Sequence, residues 1–436
     1  MIRRLLFLSM LILALPACGS PLDENEQRMV EWIDAHAEDA IALLEEQVNI
    51  SSGTMNHDGV REVGKVLGRE LDALGLETEW VELPPEMERA GHLFGRKLTG
   101  SGKKFVLIGH LDTVFEADDD FQAFTRDGNT ATGPGVEDMK GGNTVIVYAL
   151  KALQEVGALD DIPLIVAYTG EEEKPGTPLS ISRKELVAAG EWADIGLGFE
   201  SAVTYDDSDW GTVARRSASE WTVTVEGKQA HSSGIFGEDV GAGAIFEAAR
   251  ILDAFYEEVR GEEYLTFNAG TIQGGTDVDY EPEKNRGTTF GKTNVVPRKL
   301  VVHGGIRTIS QDQLDRAQAA MRAIVENSLP HTSATIEFSE GYPPMFPSES
   351  NRGLLAVLSQ VNEDLGRGPM QELDPSRRGA ADVSFVDPYT ETLAGLGPLG
   401  EGGHTPHESI DLSSLPLAIK RTAILIYRLS QEADAD

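Results

Sequence analysis

The sequence predicts an α/β protein in which a three-layer domain with a mixed sheet is interrupted by a smaller α+β domain. Three observations predict it. Short, nearly continuous apolar runs ("KKFVLIGHL", "IPLIVAYTG", "ADIGLGFES") alternate with helical stretches, the pattern of strands covered on both faces. From about Gly211 these runs give way to alternating apolar and polar residues, as in "WTVTVEGKQAHSS", which marks a half-exposed strand. After Pro330 the first texture returns, and a chain of 436 residues is longer than one hydrophobic core usually supports.

Residues 1–18 read as an export signal: Arg3 and Arg4 precede the apolar stretch "LLFLSMLILAL", and small residues follow. The end, "LPAC", resembles the lipobox of bacterial lipoproteins, which makes Cys18 the expected lipid attachment site; Pro16 departs from the usual pattern. The alternative is a free thiol inside a signal cut elsewhere. Either way the protein is expected to leave the cytoplasm, and the first reading makes it periplasmic and anchored by its lipid. Cys18 is the only cysteine, so the mature body has no disulfide, and any metal is held by His, Asp and Glu.

Beyond a polar linker at residues 21–25, "MVEWIDAHAEDAIALLEEQVNI" reads as one helix and "VREVGKVLGRELDALGL" as a second. A further helix, "GNTVIVYALKALQEVG", lies between the first two strands. The inserted domain, residues 211–330, contains one strand, the helix "EDVGAGAIFEAARILDAFYEEV", the strands "YLTFNAGTI" and "RKLVVHGGIRT", and the helix "QDQLDRAQAAMRAIVENSL". Residues 24–210 and 331–436 form the host domain, which closes with "SATIEFSE" and two helices. With 37 basic against 72 acidic residues the net charge is −35. This disfavours nucleic acid and anionic lipid as partners of the body, and leaves the N-terminal lipid as the only expected membrane contact.

Polar residues stand at the ends of several expected strands, where ligands bind in open α/β sheets. They are His110 and Asp112, Glu137 and Asp138, Glu171 to Glu173, and Glu200; His404 follows near the C-terminus. "TGPGVEDMKGG" lacks the Gly-Lys-Ser/Thr ending of a phosphate loop, Pro406 interrupts "HTPHE", and no Gly-x-Ser-x-Gly elbow supports a serine hydrolase. Two imidazoles and several carboxylates suit a divalent cation, and bridging carboxylates permit two.

Six stretches in this order, "GHLDTV", "GPGVEDMKGG", "TGEEE", "GFES", "NVVPRKLVVHGGIR" and "GGHTPHE", resemble zinc metallopeptidase family twenty, which includes glutamate carboxypeptidase, aminoacylase and succinyl-diaminopimelate desuccinylase. The resemblance implies a phosphorylase/hydrolase-like catalytic domain with an inserted ferredoxin-like lid and dimerisation domain. It also implies two zinc ions per chain, with cobalt or manganese as alternatives. Asp138 would bridge them, His110 and Glu200 would complete one site, and Glu173 and His404 the other. Asp112 would hold the second nitrogen of His110, and Glu172 would be the general base, although the shifted register of Glu171 as base and Glu172 as ligand stays open. The peptide after Asp138 is expected to be cis. His231 would reach the active site of the partner chain in a homodimer, and Asn294 and Arg307, on adjacent expected strands, would hold a substrate carboxylate together with Gly379. Gly305 replaces the Asp usual two residues before that Arg.

The function so implied is hydrolysis of an amide bond next to a free carboxylate, in peptides or N-acyl amino acids. The alternatives are an aminopeptidase acting on di- or tripeptides and a non-catalytic surface binding lipoprotein on the same scaffold.

Overall fold

The computed structural model describes residues 22–431; the signal segment and Cys18 lie outside the described residues. Three helices open the chain: α1 (Glu24–Ala35), α2 (Ala37–Val48) and α3 (His57–Ala73). The sequence reading joined the first two. They part at His36, whose backbone (φ −111°, ψ 17°) leaves the helical region and whose ring stacks on Trp32 at 4.1 Å. The apolar periodicity runs through this break because both helices bury the same face.

The main sheet contains β1 (Glu77–Val81), β2 (His92–Lys97), β3 (Phe105–His110), β4 (Leu164–Thr169) and β5 (Ile195–Gly198). Its order is β1-β2-β4-β3-β5, with Glu391–Leu393 added beside β5. Strands β4, β3, β5 and Glu391–Leu393 are parallel; β2 is antiparallel to both β1 and β4. Strand β3 shows why both faces are apolar. Phe105 and Leu107 pack into the core on one face with α4 (Lys140–Glu155) and the C-terminal helix Leu415–Gln431. Val106 and Ile108 pack on the other face against Leu186 and Ala189 of α5 (Lys184–Trp192) and against Val383. This period-two division confirms the sheet as one covered on both sides.

The inserted domain contains β6 (Ser219–Gly227), α6 (Gly243–Ala254), β7 (Thr266–Gly275), β8 (Asp277–Glu281), β9 (Arg286–Phe290), β10 (Lys299–Arg307), α7 (Gln311–Glu326) and β11 (Thr332–Phe338). Its antiparallel sheet has the order β7-β10-β6-β11. Trp221, Val223 and Val225 pack with Ile251 and Met321 in a separate core.

Two boundaries differ from the sequence reading. Strand β11, placed there in the host domain, pairs with β6 from Trp221↔Phe338 to Gly227↔Thr332, so the inserted domain continues past Pro330 to Phe338. Its residues alternate in burial, as a half-exposed strand requires. Gly211 and Thr212, conversely, pair with Glu372 and Ala394 and belong to the host. The hairpin of β8 and β9 was not anticipated, because its strands are largely polar.

His92 on β2 supplies a pH-dependent contribution to stability. Its Nδ1 accepts the Gly170 N–H (3.2 Å) and its Nε2–H donates to the Ser182 carbonyl (2.9 Å), an arrangement for the neutral ring. Burial, with Arg183 adding to it, holds its pKa down to about 4 against 6.5 in the unfolded chain. The unfolded state therefore binds the proton first as pH falls. This contribution is complete above pH 6.5 and is lost progressively through pH 4, about 3 kcal/mol in all. Urea midpoints of wild type and His92→Gln are expected to converge as pH is lowered through that window; a constant gap would remove His92 from the acid response.

Candidate active site

The carboxyl ends of three parallel strands meet at one cleft. Strand β3 ends in His110, the loop after β4 carries Glu171 to Glu173, and Glu200 follows β5 by two residues. Asp138 lies just before α4, and the Asp138–Met139 peptide is cis. His404 comes from a turn near the C-terminus.

The Asp138 carboxylate spans both imidazoles: Oδ1 lies 3.1 Å from His110 Nε2 and Oδ2 lies 3.2 Å from His404 Nε2. His404 Nε2 is also 3.1 Å from Glu173 Oε2. One potential ligand atom from each of His110, Asp138 and Glu173 lies within 4.8 Å of the others. The buried Glu173 Oε1 has no hydrogen-bond partner. Hydrogen bonds to Asp138 and Glu173 push the His404 pKa up to about 11, while burial raises Glu173 to about 7. A cluster so rich in carboxylate needs positive charge, and its donor atoms, one of them orphaned, fit a divalent cation.

Three side chains fix the loops that present this cluster. Asn143 Nδ2 donates to the His110 carbonyl (2.7 Å), and a side chain at Gly109 would collide with that amide, which explains the glycine of "GHLD". Glu408 accepts the N–H groups of Gly135, Glu137 and Asp138 at 3.0, 2.8 and 3.0 Å, tying the His404 segment to the Asp138 loop. Asp112 does more than support His110. The imidazole Nδ1 is nearer the Asp112 carbonyl (3.0 Å) than its carboxylate (3.5 Å). The carboxylate accepts the N–H groups of Glu172 (2.9 Å) and Glu173 (3.1 Å) and the Thr54 hydroxyl (2.6 Å).

Residues 106–428 match the Peptidase family M20/M25/M40. The chain belongs to this family. Its similarity to carboxypeptidase G2 of Pseudomonas sp. (strain RS-16) is 25% identity over 409 residues, covering 89% of each chain. Among solved structures, aminopeptidase PepT of Bacillus cereus ATCC 10987 superposes with a TM-score of 0.66 at 17% identity, covering 93% of this chain and 99% of that one. The YXEP protein of Bacillus subtilis, a dinuclear metal binding peptidase of the M20 family, gives a TM-score of 0.62 at 14% identity, covering 92% and 100%. The protein is thus a hydrolase of the M20 metallopeptidases, with the family's fold of host and inserted domain.

The three consecutive glutamates of this M20 chain have different surroundings. Glu171 is fully buried, paired with Arg183 at 2.5 Å and bonded to Ser182 and to the Gly176 N–H. Glu172 lines the cleft with His110, Met139, Glu200, Arg215 and Asp382. Burial holds its carboxyl well above the usual range, with Asp382, Glu200 and Glu173 adding like charge against the opposing His110. Glu200 is engaged through Oε2 by Arg215 at 2.5 Å.

Two guanidiniums beside the site, Arg215 buried and Arg378 half-buried, escaped the sequence reading. Arg215 also donates to the Gly379 and Ala380 carbonyls at 3.2 and 3.4 Å, and Arg378 donates to the Ser201 carbonyl and to Thr212 Oγ1. Their only signals were the paired arginines of "ARRSAS" and "SRRGAAD".

The residues expected from the inserted domain do not join the cluster within one chain. His231 and Asn294 are neighbours there, since Ser232 N–H donates to the Asn294 carbonyl at 2.9 Å, and neither lines the cleft. Asn294 lies in a turn rather than on a strand, and Arg307 closes the far end of β10. The length of that strand, roughly 25 Å at the rise of an extended chain, separates two residues expected to lie side by side, because the turn precedes β10 instead of continuing it.

Proposed function

We propose that the protein is an exopeptidase or deacylase, glutamate carboxypeptidase-like, that cleaves an amide bond next to a free carboxylate. The observation that carries this reading is that Glu172 shares a cleft with His110, which is joined through Asp138 to His404 and Glu173. Asp138 would bridge two cations, assigned as zinc, with His110 and Glu200 on one and Glu173 and His404 on the other; when bound, they supply Lewis-acid polarisation.

The protein's own groups do the rest. Glu172 takes a proton from the attacking water and delivers it to the nitrogen of the departing amine; its raised affinity for a proton, a result of burial, suits the first transfer. Asp112 fixes the backbone of Glu172 and Glu173 while the adjoining peptide orients His110. Arg215, paired with Glu200, and Arg378 stand beside the site, and the planar fork of Arg suits a substrate carboxylate. Gly379, whose carbonyl accepts from Arg215, is assigned to the same carboxylate by resemblance; Asn294 and Arg307, at opposite ends of β10, are not assigned to it together. His231 is assigned to the scissile carbonyl of the partner chain. Exposed Phe236, Ile245, Phe246 and Ile272 on the inserted domain support a homodimer formed there. We also assign the chain to the periplasm, held at the membrane through a lipid on Cys18.

Elemental analysis of the purified protein, together with hydrolysis of a peptide panel, tests the reading. About two divalent ions per chain and release of glutamate from peptides blocked at the N-terminus are expected. Cleavage confined to di- and tripeptides with a free amine would make it an aminopeptidase. A folded protein retaining no metal would make it a binding lipoprotein.

A further inference from the structure

The inserted domain is joined to its host by two linkers that pair with each other. Arg215 and Met345 exchange backbone hydrogen bonds at 3.0 and 2.9 Å, and so do Ala218 and Tyr342 at 3.0 and 2.9 Å. The returning linker delivers Tyr342 to the loop that carries Glu172. Its ring packs edge-on against Phe385 at 5.1 Å and beside the Arg183 guanidinium at 5.6 Å. Its hydroxyl accepts from Arg183 Nη2 at 2.6 Å and donates to the Glu172 carbonyl at 2.9 Å.

We propose that Tyr342 is a positioning residue for Glu172, so that the geometry of the general base is set in part by the linker returning from the inserted domain. The proposal rests on the reading of Glu172 as the base. Both backbone polar groups of that residue are held: the N–H by Asp112 at 2.9 Å and the carbonyl by Tyr342. Fixing both peptides fixes the direction of the Cα–Cβ bond, and with it where the carboxylate meets water and the leaving nitrogen. Asp112 lies just past β3 of the host sheet, whereas Tyr342 is three residues beyond Ser339, whose N–H donates to the Glu220 carbonyl at the end of the inserted domain's own ladder. The anchor on Tyr342 is itself firm, because Arg183 is locked between Glu171 and Asp382. A displacement of the returning linker would therefore be felt at the base, and misplacement of a reacting group by about 1 Å costs on the order of 10²-fold in rate.

The test is Tyr342→Phe measured beside Glu172→Ala, with kcat, KM, bound metal and the urea midpoint determined for each. Phe keeps the ring contacts with Phe385 and Arg183 and removes only the hydroxyl. The expected result is kcat lowered about tenfold, KM within about twofold and metal content as in wild type. Wild-type kcat in Tyr342→Phe, with Glu172→Ala inactive, would overturn the positioning role and leave the base in place. A fall in kcat that tracks lost metal or a lowered urea midpoint would overturn it as well, since a merely structural role predicts that pattern. Activity surviving in Glu172→Ala would instead bring down the underlying reading of the base.

Discussion

Glu172→Ala is expected to lower kcat by about 10² to 10⁴-fold, the usual contribution of a positioned acid–base group, while bound metal stays at the wild-type value. The two halves of this result have different origins. Metal retention follows from the separate grouping of His110, Asp138 and Glu173, to which the Glu172 side chain adds no atom. Loss of turnover follows from the absence of a substitute. Glu171, the adjacent carboxylate, has one oxygen on Arg183 and Ser182 and the other on the Gly176 N–H. It cannot swing into the cleft without leaving Arg183 unpaired. Metal analysis and steady-state kinetics on one preparation decide the matter. A variant that loses metal along with activity would move Glu172 into the ligand set, and one that keeps activity would free it from both roles.

Arg183→Met is expected to destabilise the protein by about 3 to 5 kcal/mol, the range for removing one partner of a buried ion pair. Arg183 is 1% exposed and its partners Glu171 and Asp382 are 0% and 4% exposed. Met fills similar volume but leaves both carboxylates facing a site from which water is excluded. The double variant Arg183→Met, Glu171→Gln should recover part of the loss, because one of the orphaned charges is then gone. Urea denaturation of the three proteins measures both steps. Equal midpoints for wild type and Arg183→Met would show that the network adds nothing to stability. Normal stability with impaired turnover would place Arg183 in the catalytic machinery through Tyr342.

The candidate site was legible in the sequence where a single strand end announced it. His110 and Asp112 interrupt an apolar run, Glu172 and Glu173 follow another, and each polar residue is out of keeping with a buried strand unless something engages it. The residues that complete the site carry no such mark. Arg183 sits between two short helices, Arg215 and Tyr342 sit in linkers, and Arg378 sits in an irregular loop. Nothing local to those segments distinguishes a buried guanidinium from a solvated one, because the partners are Glu171, Glu200 and Asp382, supplied by other parts of the chain. The fold shows the same division. Strands covered on both faces stood out by continuous hydrophobicity, whereas β11 was misplaced because Pro330 suggested a boundary that pairing with β6 overrides. The hairpin of β8 and β9 covers part of the inserted sheet with polar strands, Tyr280 lying 6.3 Å from His303, and its composition resembled a loop.

The host domain is discontinuous, and this dictates an order of events as the chain emerges. Emerging N-terminus first on the far side of the membrane, as the proposed export has it, the chain presents the first five strands of the main sheet, then the whole inserted domain, and only afterwards the edge strand Glu391–Leu393 and His404. Glu408, which holds the Asp138 loop through three N–H groups, is later still. Domains tend to fold as they emerge, so the inserted domain can be complete while its host still lacks an edge strand, one imidazole and the clamp on Asp138. A chain in that condition has Glu172 but not the full cluster. Completion of the site therefore arrives with the last few dozen residues, after the inserted domain and the first five strands of the main sheet are already in place.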